Sequence, residues 1–205
     1  SMVTMLTGFP TYYQSSWIGG IDTTPDDSML IFSTLSQIHG FWTSNWTKAW
    51  TNQNNTEYVR ALEISPDGRF MLSGGDAGVI LVHDLTTDRP ILTNTVNISS
   101  RPDIYEIEIS DGGGTAIVAS RSGSNGITAL DTVTWSSLGV ISGFGNNNQN
   151  RGVDTISLSP DGERLAIAHR RGWLSVNIVP DGFLRVHGDH YTSLMESPWR
   201  STYVS

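Results

Sequence analysis

Apolar and polar residues alternate along this chain in short runs, and clusters of turn-forming residues cut the runs at regular intervals. Val59, Leu62 and Ile64 lead into Ser65-Pro66-Asp67-Gly68. Phe70-Met71-Leu72 follow, then a Gly-rich stretch from Gly74 to Gly78, then Val79-Ile80-Leu81-Val82. The pattern recurs further on. Val153, Ile156 and Leu158 precede Ser159-Pro160-Asp161-Gly162, and Leu165-Ala166-Ile167-Ala168 and Leu174-Ser175-Val176-Asn177-Ile178 come after it. Runs this short, rich in branched residues and bounded by Gly, Pro and Asp, predict β-strands. Pro presets φ for the second position of a turn, and Asp-Gly accepts the positive φ that follows. Ser-Pro-Asp-Gly is therefore expected to reverse the chain between two antiparallel strands.

A weaker copy lies between these two. Ile104, Ile107 and Ile109 precede Ser110-Asp111-Gly112-Gly113, and Ala116 to Ala119 and Ile127 to Asp131 follow. A fainter one begins at Ile18 and Ile21, turns at Thr24-Pro25-Asp26-Asp27 and climbs through Met29 to Phe32. Pro25, Pro66, Asp111 and Pro160 are spaced by 41, 45 and 49 residues. Self-similarity at such a period signals a propeller or another repeat array. A four-stranded sheet cannot cover both of its own faces, so neighbouring sheets must cover them. The expectation is an all-β fold: a β-propeller with about four four-stranded blades, either complete or part of a larger ring. The units are about 17–51, 58–94, 104–142 and 152–187 of a single domain spanning 1–205, with 188–205 as a tail.

Residues Ile64 to Leu85, ISPDGRFMLSGGDAGVILVHDL, resemble a WD-repeat blade. The resemblance lies in the Ser-Pro-Asp-Gly hairpin, the Ser-Gly-Gly-Asp-x-Gly turn and the Asp-Leu ending. It covers that unit fully, most of 153–187, and the outline of the other two. His83 stands where the family usually has Trp, Ala77 where a buried Asp is usual, and no Gly-His pair precedes Val59. The hydrogen-bond network joining those positions is therefore expected to be missing. The resemblance implies a non-enzymatic scaffold for protein–protein interaction.

Composition narrows the choice of partner. Twelve basic against twenty acidic residues give a net charge of −8, and no long Lys/Arg run offers a phosphate backbone a basic face, so nucleic acid is not expected. No stretch approaches the ~20 apolar residues of a membrane span. The chain has no cysteine, which excludes disulfides, thiolate metal sites and Cys nucleophiles and leaves the compartment open.

Catalytic signals are weak. There is no nucleophile elbow, P-loop, dinucleotide fingerprint or His-Glu-x-x-His helix. His187 and His190 flank Asp189 in what reads as loop, and Asp26-Asp27 lacks the spacing of an EF-hand. No catalytic, cofactor or metal residue is assigned. Trp42, Trp46 and Trp50 are placed on a third strand, its turn and an outer strand. They serve either as packing or as an exposed aromatic patch.

Propellers commonly bind partners on the face where loops enter the inner strands. Matching that position from unit to unit gives Gly19, Arg60, Tyr105 and Asp154, and the turn at Arg170 and Arg171 opens on the same face. Arg60, Tyr105, Asp154, Arg170 and Arg171 are the expected partner-binding residues, with a protein, a second copy or further blades as partner. Two alternatives stand beside the scaffold. One is a propeller lactonase or hydrolase with a channel metal near Asp103 and Asp154. The other is a carbohydrate-binding propeller stacking sugars on Trp17 or Trp46.

Overall fold

The computed structural model describes residues 18–53, 58–98, 103–120, 125–142, 153–160, 162, 164–169 and 173–178. All regular structure in them is β. Strands β1 (Ile18–Thr23), β2 (Met29–Thr34), β3 (Gln37–Trp42) and β4 (Lys48–Asn52) form one antiparallel sheet in chain order. A second contains β5 (Val59–Ile64), β6 (Phe70–Gly75), β7 (Val79–Asp84) and β8 (Ile91–Asn97). A third contains β9 (Ile104–Ile109), β10 (Thr115–Ser120), β11 (Asn125–Asp131) and β12 (Ser137–Ser142). The fourth has three described strands, β13 (Val153–Leu158), β14 (Arg164–His169) and β15 (Trp173–Ile178). Each sheet is a meander, and each apolar run quoted above that falls within the described residues has become a strand. The expected outer strand at 183–186 lies outside the described residues.

The repeated heptad is the hairpin between the first and second strands of each sheet, and its residue types follow from its hydrogen bonds. The hydroxyl at its head accepts the amide of the residue that opens the second strand. Thr24 takes the Met29 N–H at 3.0 Å, Ser65 that of Phe70 at 3.0 Å, Ser110 that of Thr115 at 3.2 Å and Ser159 that of Arg164 at 2.9 Å. The aspartates of the first two copies reinforce the turn. Asp67 accepts the Arg69 amide and the Ser65 hydroxyl, and Asp26 accepts the Ser28 amide and the Thr24 hydroxyl. These bonds favour the ionised form, and they hold Asp26 down at about 2. The chain then passes through left-handed backbone, at φ 70° in Gly68, 69° in Gly113 and 73° in Gly162. The first copy places Asp27 at this point, with φ 57°.

The sheets stack face to face like the blades of a propeller. The innermost strands follow one another, β1 against β5, β5 against β9 and β9 against β13, and each second strand leans on the next blade's first. Among the described residues no comparable contact brings β13 back to β1. Three apolar seams result. Ile31, Ile38 and Trp50 of the first blade meet Val59, Leu62, Ile64 and Met71 of the second. Leu72, Ile80 and Val82 meet Ile104, Ile107, Ile109 and Val118 of the third. Ile117, Ile127 and Ala129 meet Val153, Ile156, Leu165 and Ile167 of the fourth. The two-residue period of a strand makes this possible, because Leu72 and its neighbour Met71 face opposite seams. A fully buried Leu or Ile contributes about 1.5–3 kcal/mol. The seams therefore outweigh any single polar contact in the fold.

The three Trp residues sit where the pattern put them, but they divide in role. Trp50 is buried over Gly40 in the first seam, whereas Trp42 and Trp46 are more than 40% exposed. Trp135, in the equivalent turn of the third blade, stands edge-on to Phe70 of the second with ring centroids 5.4 Å apart.

Asp27 is the one hairpin residue of the four that holds the left-handed conformation without being glycine. Asp27→Gly is expected to stabilise the protein by about 1 kcal/mol, read as a higher midpoint in chemical denaturation. Gly68→Ala should destabilise it by a similar amount.

Candidate functional site

The inner strand of every blade is broken at the same place. Register is lost between Ile18 and Ile21 on β1, between Val59 and Ala61 on β5, between Ile104 and Glu106 on β9, and between Val153 and Thr155 on β13. The extra residues are Gly19-Gly20, Arg60, Tyr105 and Asp154. A β-bulge leaves one residue outside the ladder and re-aims its side chain, which is why bulges accumulate beside functional sites. Four positions matched by sequence alone are thus four bulge positions on neighbouring inner strands.

What they carry differs from blade to blade. On the first, a Cβ at Gly19 would run into the Val59 carbonyl, so no side chain fits. On the second, the Arg60 guanidinium pairs with Asp76, which lies in the turn between β6 and β7, and sits over the Tyr105 ring at 5.0 Å from its centroid. The Asp76 carboxylate raises the Arg60 pKa further, with Tyr105 and Asp103 adding to the field. The Arg60 and Asp76 side chains remain 20% and 26% exposed. A partly exposed ion pair contributes about 0–1 kcal/mol and an exposed cation–π contact about 0.5–1 kcal/mol. These sums are small beside the seams. The consequence of the arrangement is orientation: a guanidinium, a phenol and a carboxylate are held in one place at the surface. Tyr58, immediately before β5, is 46% exposed nearby in the chain.

Of the expected partner-binding residues, Arg60 and Tyr105 are brought into contact. Asp154 occupies the equivalent, exposed bulge on β13. Arg170 and Arg171 lie outside the described residues. Asp76 is the aspartate of the Ser-Gly-Gly-Asp-x-Gly turn, and its pairing with Arg60 depends on the bulge, which no local sequence pattern announces.

The buried histidines differ in kind. His39 is satisfied on both nitrogens, Nε2 with the Thr34 hydroxyl at 2.8 Å and Nδ1 with the Thr51 hydroxyl at 3.1 Å. His83, opposite Met71 in the register, is fully buried, and among the described residues neither ring nitrogen has a hydrogen-bond partner. Burial alone lowers its pKa to about 4. The equivalent positions on the first and third blades hold Phe41 and Leu130. His83 thus fills an apolar slot as a neutral ring. Among the described residues no three His, Asp or Glu side chains gather as a metal-ligand set.

With this geometry in view, comparison with known proteins adds no identity: no protein-family model matches the chain, and no curated protein matches it.

An unpartnered buried polar group costs about 1–3 kcal/mol, so His83→Leu is expected to stabilise the fold. A histidine with a depressed folded-state pKa contributes stability above its unfolded value that is lost as pH falls. The gain from His83→Leu should therefore grow as pH drops from 6.5 towards 4. Urea denaturation of both proteins across that range measures it.

Proposed function

We propose that this protein is a non-enzymatic, WD-like propeller module that binds a protein partner through the rim formed by its inner-strand bulges. The observation that carries the reading is the repetition of one backbone feature with changing side chains. Each blade presents a bulge at the same place, and the bulges hold glycine, arginine, tyrosine and aspartate in turn. A packing layer calls for similar residues at equivalent positions, whereas a recognition surface calls for different ones. Arg and Tyr are also the residue types that concentrate binding energy, and Arg60 and Tyr105 are already in mutual contact before any partner arrives.

The rim is ordered by weak contacts, so it can be altered without dismantling the seams. The double variant Arg60→Ala/Tyr105→Ala is expected to keep a thermal midpoint within a few degrees of the parent. It should lose partners that the parent recovers from native extract, as quantified by mass spectrometry. For a purified partner, each single substitution should weaken binding by about 2 kcal/mol, roughly 30-fold. Unchanged affinity across Arg60, Tyr105 and Asp154 variants overturns the reading.

A carbohydrate-binding role has one observation in its favour, the exposure of Trp42 and Trp46 at the β3–β4 turn. Binding on a glycan array that is lost in Trp46→Ala would support it over the scaffold.

A further inference from the structure

The inner strands carry a second repeated feature, distinct from the bulges. Asp22, Glu63 and Glu108 occupy one register position, opposite Ile31, Leu72 and Ile117 respectively. Those three partners each face the next blade in their seam. Every described blade but the last, which has Ser157 there, therefore ends its forward face in a carboxylate at the inner strand.

Two of the three carboxylates grip the main chain of the blade ahead. Asp22 Oδ2 accepts the Ile64 N–H on β5 at 2.9 Å. Glu108 accepts the Leu158 amide on β13; burial raises the Glu108 pKa, and this hydrogen bond opposes the rise without cancelling it. A neighbouring acid does likewise: Glu106 accepts the Ile156 N–H at 2.7 Å and the Thr155 hydroxyl at 2.8 Å. Ile64 and Leu158 are themselves equivalent positions, two residues before Pro66 and Pro160. The same rule would set Glu63 on the amide of Ile109, two residues before Asp111.

Glu63 does not follow it. Among the described residues no group donates a hydrogen bond to its carboxyl, and its electrostatic neighbours are all acids: Asp22 from β1, and Glu106 and Glu108 from β9. The other strands packed on β5 offer no relief, because β2 and β6 contain no ionisable side chain. Arg60, the cation on β5 itself, is engaged with Asp76 and Tyr105.

We propose that Glu63 is a proton-operated spacer at the seam between the second and third blades. Holding its proton, it packs as a neutral group among Asp22, Glu106 and Glu108. Losing the proton, it becomes a carboxylate that receives no backbone amide and is repelled by Asp22 on β1 and by Glu106 and Glu108 on β9, and the seam between β5 and β9 loosens. Burial, with the three acids behind it, raises the Glu63 pKa from 4.5 to about 8, so the change falls on the alkaline side of neutrality. The folded state holds this proton more tightly than the unfolded state, so the stabilisation is complete below about 4.5 and is lost as pH rises towards 8. His83 acts in the opposite sense and at lower pH, and it is present in both arms of the test.

The test compares the whole chain with its Glu63→Gln variant, which keeps size and shape and removes the ionisation. Thermal and urea unfolding are followed from pH 6 to 9. In the parent, the unfolding equilibrium constant should rise by about tenfold or more over that range, with hydrogen exchange quickening at the β5 and β9 amides. In Glu63→Gln both changes should vanish. A second measurement is independent of the variant's folding: carbon-detected titration of the Glu63 carboxyl in the parent, expected to have its midpoint near 8. Parallel pH profiles for the two proteins, or a Glu63 midpoint in the ordinary carboxylate range, overturn the proposal.

Discussion

A four-stranded antiparallel sheet whose strands are apolar on both faces cannot exist alone in water. This constraint governs the molecule. The second and third blades each present one face to the blade before and one to the blade after, and adjacent residues such as Met71 and Leu72 serve different seams. The hydrophobic energy of three such seams sets the scale against which other features must be weighed. The hairpin heptads, the blade-to-blade carboxylates and the bulges all sit on this framework and are individually worth much less.

Polar groups enter the stack in two ways. Some close the backbone's requirements: the hairpin hydroxyls, the Asp22 contact with Ile64 and the Glu106 contact with Ile156 each satisfy an amide that its own sheet does not. Others lack such compensation. His83 is buried among apolar residues with two unpaired nitrogens, and Glu63 faces three acids. Local rules of polar satisfaction fail at these positions, and positions of that sort are where function or regulation is reasonably sought.

Much of the fold was legible in the residue pattern, because a strand's two-residue period and a hairpin's demand for Pro, Asp and Gly act over a few residues. The reversal at Gly68, the grouping of the described strands into successive antiparallel sheets and the placement of Trp42, Trp46 and Trp50 on a third strand, its turn and an outer strand all followed from it. The candidate rim was legible in part. Aligning units brought Arg60, Tyr105 and Asp154 to one position, but the reason for their prominence, a bulge, depends on pairing between strands. The contact between Arg60 and Asp76 was hidden for the same reason. The acids at Asp22, Glu63 and Glu108 were visible as a repeated position once units were aligned. Their consequence was not, because it requires knowing that one blade's carboxylate reaches the next blade's amide. The split among the three Trp residues likewise depended on which face the neighbouring blade covers.

Consecutive blades stack front to back through their inner strands. Methyl–methyl nuclear Overhauser contacts in selectively labelled protein test this stacking most directly. The account predicts cross-peaks from Ile31 and Ile38 to Leu62, Ile64 and Met71, from Leu72 and Val82 to Ile107 and Val118, and from Ile117 and Ile127 to Ile156 and Ile167. Contacts confined within each sheet, with none across the three seams, would contradict it.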